Sequence, residues 1–455
     1  MVTTSSEFLE QYGAALRRGT AALFLGAGAS ADAGFPTWRT LLEKSARQLG
    51  LAIDDRTDLV ELAQFVFNER RRPTLDQLIV SAFDRPRRRP ELHDMIAQLP
   101  FNSIWTTNYD TLIEDAFIKA DVHLDVKRDN DSLARHDHRA LTVLYKMHGC
   151  VTDPSHCVLM KDDFELYAQG RPGFLHLLSA DYISKTFLFL GLSFRDPNVN
   201  YILATIRAVF RGGGPTHFAV MQRPQVVGNE RTRFDYWVAD MHRYGMNVLA
   251  VDSYEEISDL LSTLQKNYRG ERARDSVYVN GSFEQVSPHR EKIEELCRRI
   301  GCLLARNGKR LVSGLGIIVG PSTLRGFIET LDEDHKPTYG RLWLRPVRSK
   351  HPEALKRRRA LMEEAKTWVL IGGTDGTRED AVVASSLEGQ LVPIPGTGGT
   401  ADEVVEELLT DPDVTELQRA LLLKLREADF SLERGDHDDV DAVIRVLEEH
   451  FAAST

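Results

Sequence analysis

Ala21 to Leu25 is a short, wholly apolar run that ends at Gly26-Ala27-Gly28. Five apolar residues in a row suit a strand covered on both faces, the condition of a strand inside a parallel sheet. Glycines after such a strand let backbone N–H groups approach a phosphate with no Cβ between them. Ser30 is expected to open a helix whose N-terminus favours anions by about 0.3–1 kcal/mol. The spacing is Gly-x-Gly-x-Ser, not Gly-x-Gly-x-x-Gly, and no ribose-binding acid stands out downstream. The same residues therefore also fit an ordinary tight turn.

The apolar-run-then-polar-turn pattern recurs. Strands are expected at 101–106, 141–147, 187–192, 217–221 and 247–251, and helices at 6–19, 38–50, from Leu112, at 199–210 and at 254–264. Residues 58–83 read as a helical insertion interrupted at Pro73, and 127–138 as a polar loop. Strands alternating with helices imply a doubly wound parallel sheet, which binds ligands outside the carboxyl ends of its strands. Gly26–Gly28, Thr107–Asp110, His148-Gly149 and Ser193–Asn198 each follow a strand, which suggests one shared site.

A polar stretch, 267–275, is expected to link this unit to a smaller α/β domain, giving domains of 1–270 and 271–455. The fold class is α/β with two Rossmann-like domains. In the second, strands with their following glycine turns or loops at 277–282, 310–316, 341–347, 368–377 and 391–399 alternate with helices at 288–306 and 323–331. Gly281, Gly314, Gly316, Gly372, Gly373, Gly376 and Gly396 follow those strands, a pattern that suits either a nucleotide cradle or plain turn punctuation. The length, 455 residues at about 150 per domain, agrees with two or three domains.

A formal charge of −10 argues against general nucleic-acid binding. The arginine clusters 70–72, 85–89 and 357–359 are expected on solvated faces. No apolar run approaches the ~20 residues of a membrane span, and no signal-peptide h-region is read at the N-terminus, so the cytoplasm is the expected location. Cys150, Cys157, Cys297 and Cys302 form no CxxC pair, so neither a disulfide framework nor a zinc or other metal site is expected.

Chemistry on a nucleotide held at these strand ends needs a polar group that orients a ribose or a water and a base near them. Asn108 suits the first role because an amide both donates and accepts, and His148 suits the second near neutral pH. Asp110 suits holding an amide or fixing the loop, and the Asn-Tyr-Asp turn also suits a helix cap.

Together these motifs resemble the sirtuin family. Ala33-Gly34-Phe35-Pro36-Thr37-Trp38-Arg39 is similar to that family's AGIPDFR segment after a GAGIS loop. Thr107-Asn108-Tyr109-Asp110 is similar to TQNID, His148-Gly149 to the HG motif, and Gly191-Leu192-Ser193 to GTS. The resemblance implies that Asn108 and His148 are catalytic. It also implies that Gly26, Ala27, Gly28, Ser30, Arg39, Asp110, Ser193 and Asp196 line an NAD site, with NAD+ as substrate and no further cofactor. Thr37, Trp38 and Thr107 depart from the family pattern. The two cysteine pairs of the zinc module in deacylating sirtuins have no counterpart, which leaves water as the favoured acceptor over acyl-lysine.

Residues 277–455 resemble the SLOG superfamily of nucleotide-binding domains, whose PGGxGTxxE motif is similar to Gly372-Gly373-Thr374-Asp375-Gly376-Thr377-Arg378-Glu379-Asp380. The proline is absent and one residue is inserted before Gly376, which favours ligand sensing over catalysis. The two-domain architecture resembles effectors of Thoeris anti-phage defence, in which a sirtuin-like NADase is fused to a SLOG domain. That resemblance implies an NAD+ glycohydrolase activated by a cyclic ADP-ribose isomer made by a separate protein, in a homo-oligomer, expected to be a tetramer. The expected signal site comprises Gly281, Ser282, Gly314, Gly316, Arg345, Arg348, Gly372, Gly373, Thr377, Glu379 and Asp380. The alternatives are a protein deacylase or ADP-ribosyltransferase, and a non-catalytic NAD or ADP-ribose sensor.

Overall fold

Every residue of strand β1 (Ala21–Leu25) is buried, and the strand has a parallel neighbour on each side. The computed structural model describes residues 3–54, 57–83, 88, 90–192, 194, 214–225, 228–283, 288–338, 340–347, 353–435 and 437–453. Chain contacts divide it into two compact units, Met1–Tyr268 and Arg269–Thr455.

The first unit adds β2 (Ser103–Thr106), β3 (Leu124–Lys127), β4 (Thr142–Lys146), β5 (Thr186–Leu190), β6 (His217–Gln222) and β7 (Met246–Val251). They form one seven-stranded parallel sheet in the order β3-β4-β2-β1-β5-β6-β7. Alternation along β1 feeds two cores. Leu23 and Leu25 join Phe8, Ile104 and Leu188 on one face, while Ala22 and Phe24 join Trp105, Phe187 and Phe189 on the other. This is the doubly wound arrangement, and β1 lies at its centre, where the chain leaves toward β2 on one side and later returns as β5 on the other.

The expected insertion is present as helices Leu59–Arg70 and Arg72–Phe83. The break falls at Arg71, whose φ is 67°, and Pro73 sits inside the first turn of the second helix, where its missing N–H costs nothing. Leu62, Val66, Leu75 and Ile79 pack with Tyr109, Cys157 and Leu159, so the insertion is stacked against segments that follow β2 and β4.

Three expectations need correction. Residues 27–33 form a seven-residue 3₁₀ helix, closed by Gly34 at φ 81°, and the first α-helix after β1 starts only at Trp38. No α-helix therefore begins at Ser30. The expected polar loop 127–138 begins at Lys127, the last residue of an edge strand Leu124–Lys127 in which the buried Lys127 pairs with Asp125 at 2.8 Å, and it contains a short helix, Asn130–Leu133. The polar stretch 267–275 is no open linker, because the helix Glu255–Arg274 runs through it. The expected helix at 199–210 lies outside the described residues.

The second unit contains β8 (Ser276–Ser282), β9 (Arg310–Ser313), β10 (Leu342–Leu344), β11 (Thr367–Gly372) and β12 (Gln390–Pro393). These make a five-stranded parallel sheet, ordered β10-β9-β8-β11-β12, between cores built around Val279, Ile371 and Phe327 on one side and Tyr278, Leu370 and Trp368 on the other. Among the described residues, no helix is long and apolar enough to cross a membrane.

Candidate functional site

Four neighbouring strands, β4, β2, β1 and β5, end at His148, Asn108, Gly26 and Gly191 respectively, within two residues of each strand terminus. Two of these turns meet backbone to backbone. Gly26 N–H donates to Leu190 at 2.9 Å, and Gly28 N–H donates to Gly191 at 2.9 Å. A Cβ on Gly26 would stand 2.5 Å from the Gly191 carbonyl oxygen, and one on Gly191, at φ 65°, would stand 2.2 Å from the Ala29 nitrogen. Only glycine fits such an approach.

Above that contact lies a hydrogen-bonded triad of side chains. Asn108 Nδ2 donates to the Gly26 carbonyl at 3.0 Å and to Ser30 Oγ at 3.0 Å. Ser30 Oγ donates onward to Asp110 Oδ2 at 2.8 Å. Asp110 Oδ1 accepts from Leu112 N–H at 3.1 Å, so the carboxylate also caps the helix Leu112–Lys119. The Asn-Tyr-Asp turn thus serves the start of a helix, while its two polar side chains meet Gly26 and Ser30. Ser30 and Asp110 are buried, and Asn108 is half-buried. Both amide protons of Asn108 are engaged within the chain, so what it offers a ligand is its carbonyl oxygen, an acceptor for a ribose hydroxyl or a water.

His148 is 1% exposed. Its ring meets Phe164 and Tyr167 edge-on, with centroids 5.4 and 6.2 Å away. Tyr167 hydroxyl donates to the Met147 carbonyl at 2.8 Å, and Val158 N–H donates to the His148 carbonyl at 2.9 Å, fixing the backbone on both sides of the ring. Gly149 follows at φ 89°. Arg39 is exposed and donates to the carbonyls of Ile53 and Asp54 at 3.3 and 2.8 Å, a position set by the loop after its own helix. Ser193 and Asp196 lie outside the described residues.

Sequence reasoning missed Arg72. Placed with the solvated clusters, it is in fact half-buried, pairing with Asp76 at 2.8 Å and Asp163 at 3.1 Å and donating to the carbonyls of Pro154 and Cys157 at 2.8 and 2.6 Å. It ties the inserted helices to the segment after His148. The i,i+4 spacing of Arg72 and Asp76 is the one signal the sequence held for it. Lys146 and Glu114 were missed too. They form a buried ion pair at 3.1 Å below Asp110.

In the second unit the expected glycines lie at one sheet edge, and most are required there by the chain itself. A Cβ on Gly281 would stand 2.0 Å from the Ile371 carbonyl oxygen, and one on Gly316 2.1 Å from that of Gly281. Gly372 abuts Phe283, and Gly373 abuts the buried Thr377. Gly314 has more room, with the Tyr278 hydroxyl 3.8 Å from its added Cβ. Ser282 ends β8 half-buried, and Arg345 is exposed just past β10. Arg348 lies outside the described residues.

Asp380 organises the interior of this edge. It is fully buried, accepts from Tyr278 hydroxyl at 3.0 Å and from Asn280 Nδ2, and pairs with Arg358 Nε at 3.0 Å. Burial raises its pKa to about 6, outweighing the opposing pull of Arg358, Tyr278 and Asn280. Arg358 also pairs with the half-exposed Glu379. Arg358, a second arginine expected on a solvated face, is 5% exposed. Among the described residues, no group of three or more His, Cys, Asp or Glu side chains is placed to hold a metal ion.

The SIR2-like domain family matches residues 102–242, and the Sir2- and TIR-associating SLOG family matches residues 256–449. The chain is 30% identical to an NAD(+) hydrolase ThsA of Cytobacillus dafuensis over 448 residues, covering 91% of this chain and 90% of the relative. It is 31% identical to an NAD(+) hydrolase ThsA of Bacillus cereus (strain MSX-D12), covering 87% and 88% of the two chains. A third relative of that name, from Enterococcus faecium, is 31% identical, with 88% and 89% covered.

Proposed function

The chain belongs to the family of the NAD(+) hydrolase ThsA proteins, and we propose that it hydrolyses NAD+ to nicotinamide and ADP-ribose. The carrying observation is the Asn108 amide, whose two protons are held by Gly26 and Ser30 while its carbonyl oxygen remains as an acceptor beside the strand end that presents His148. In the reaction the nicotinamide–ribose bond breaks with its electron pair passing to the nicotinamide ring, and water adds to the ribose carbon. Asn108 orients the ribose hydroxyl or the water, and His148 takes up the proton released. A base so placed contributes about 10²–10⁴ in rate. The backbone of residues 26–28, with Ser30 and Asp110, forms the floor against which NAD+ is held. Arg39, Ser193 and Asp196 belong to the same proposed site on the sirtuin resemblance.

The second unit is proposed to bind a cyclic ADP-ribose isomer supplied by a separate protein of a Thoeris-type defence system, so that NAD+ is depleted in the cytoplasm during phage infection. The edge formed by Gly281, Ser282, Gly314, Gly316, Gly372, Gly373, Thr377, Glu379 and Asp380, with Arg345 and Arg348, is the proposed signal site. Arg358, paired to Glu379 and Asp380, is added to it as the residue that orients both acids. The assembly is proposed to be a homotetramer. A ligand shifting the active fraction from 1% to 99% needs about 10⁴-fold preference for the active state, which an oligomer can spread over several bound ligands.

The test is nicotinamide release from NAD+ by the purified full chain and by residues 1–270, with and without cyclic ADP-ribose isomers. Release by the full chain that rises with an isomer, and that loses this response in 1–270, supports the reading. Release that requires an acetyl-lysine peptide would replace it with deacylation. Activation that survives loss of the second unit would remove the signal site from that unit.

A further inference from the structure

Lys146 closes β4, and Thr106 closes β2. The two stand opposite each other in register. Two residues beyond each lies a residue of the proposed reaction, His148 after Lys146 and Asn108 after Thr106. The spacing of the two groups is thus set by what joins these strand ends.

Thr106 holds its own turn, donating to the Leu25 carbonyl at 3.0 Å and accepting from Asn108 N–H at 3.0 Å. Lys146 crosses between the strands. Its side chain is 1% exposed, its ammonium donates to the main-chain carbonyl of Asp110, and Glu114 lies 3.1 Å away on Oε1 and 3.4 Å on Oε2. Glu114 stands in the first turn of the helix that Asp110 caps, with the half-exposed Arg128 at 3.6 Å as its second cation. Burial works to lower the Lys146 pKa, yet Glu114, Cys150 and Asp110 together hold it above the ordinary lysine value, so the ammonium stays charged.

A buried ion pair is a poor way to add stability, because desolvation offsets the attraction and apolar residues of similar volume often do as well or better. What such a pair does supply is a fixed geometry. One ammonium here meets a carbonyl from one loop and a carboxylate from the helix behind it, and it arrives from the strand that carries the histidine.

We propose that Lys146, held by Glu114, is a positioning residue that clamps the Asn108–Asp110 turn at a fixed distance from the His148 strand end. The proposal rests on the hydrolase reading above. A displacement of about 1 Å in a reacting group can cost roughly 10²-fold in rate. The clamp therefore acts on turnover far more than on substrate affinity.

The test uses the full chain under activating conditions and compares wild type with Glu114→Gln/Lys146→Met, which removes both charges of the buried pair together and leaves only the half-exposed Arg128 without that carboxylate. The double variant is expected to lose about 10- to 100-fold in kcat while KM for NAD+ stays within about threefold. Amide hydrogen exchange is expected to speed up at residues 108–112 while β1, β5 and β6 keep their protection. A folded double variant with kcat within twofold of wild type overturns the proposal, and so does uniform acceleration of exchange across the sheet. Should the double variant fail to fold, Glu114→Gln alone decides. A threefold or greater fall in its kcat at unchanged KM supports the clamp, and a smaller fall overturns it. A wild type that releases no nicotinamide sinks the hydrolase reading instead, and the exchange difference at 108–112 then still reports on the clamp.

Discussion

Ser30 and Asp110 are eighty residues apart in sequence, and the hydroxyl of one donates to the carboxylate of the other at 2.8 Å in a buried setting. The same hydroxyl oxygen accepts from Asn108. One small side chain from the turn after β1 thus satisfies two residues of the turn after β2. Ser30→Ala strands both, which is expected to cost about 1–3 kcal/mol of stability and to lower nicotinamide release about tenfold, since a single hydrogen bond is worth about that factor. Thermal unfolding and steady-state kinetics read the two effects, and wild-type values in both would show the triad to be idle.

Asn108→Ala and His148→Ala are each expected to reduce nicotinamide release by about 10²–10⁴. Their stabilities should diverge. Removing the buried His148 ring leaves a cavity between Phe164 and Tyr167, so its melting temperature falls by several degrees, while the half-buried Asn108 costs less. A His148→Ala protein that keeps a third of its turnover would rule the histidine out as the base.

Gly191→Ala is expected to destabilise the first unit by at least about 3 kcal/mol, because the new methyl collides with the Ala29 nitrogen on rigid main chain. Gly50→Ala is the matched control, with a similar left-handed backbone (φ 74°) and open space around it. It should lose only the conformational cost, about 1–2 kcal/mol. Denaturant unfolding separates the two, and equal losses would mean that the contact between the β1 and β5 turns is not tight.

Asp380 predicts a pH dependence for the second unit. Its folded pKa, about 6, lies above the ordinary 3.8, so the folded state binds the proton more tightly than the unfolded chain does. The stabilisation it contributes is complete below about pH 4 and is lost as pH rises through about 6, with a slope of about 1.4 kcal/mol per pH unit between them. Relative to Asp380→Asn, wild type should gain stability as pH is lowered from 7 to 4. A stability difference that stays flat across that window would contradict the buried setting of this carboxyl.

Much of this was legible in the chain because a parallel strand advertises itself. Ala21–Leu25 and Phe187–Leu190 are continuous apolar runs, and each stops where the polar work begins, so strand ends and candidate site residues emerged together. Asn108, His148, Ser30 and Asp110 could be singled out for that reason. The edge strand Leu124–Lys127 was passed over although its apolar–charged alternation is a strand pattern, because it is only four residues long and its buried members are the charged Asp125 and Lys127, which pair with each other. Residues 267–274 misled in the opposite way, for polarity is compatible with an exposed helix as well as with coil. Lys146, Arg358 and Asn280 were hidden because their meaning lies in distant partners: Lys146 with Glu114, thirty-two residues away, and Asn280 with Asp380, one hundred residues away. An arginine run looks solvated until one member, such as Arg72 or Arg358, is found turned inward.

The contact between the turns at Gly26–Gly28 and Gly191 makes the floor of the proposed site out of main chain. Such a surface offers no functional group that a point substitution can exchange, and it rejects any side chain that would reshape it. Catalytic variants selected from a mutant library would therefore accumulate on the walls, at Ser30, Asn108, Asp110 and the aromatic rings around His148. The seam beneath them would stay monomorphic, acting as the datum from which every other distance in the pocket is measured.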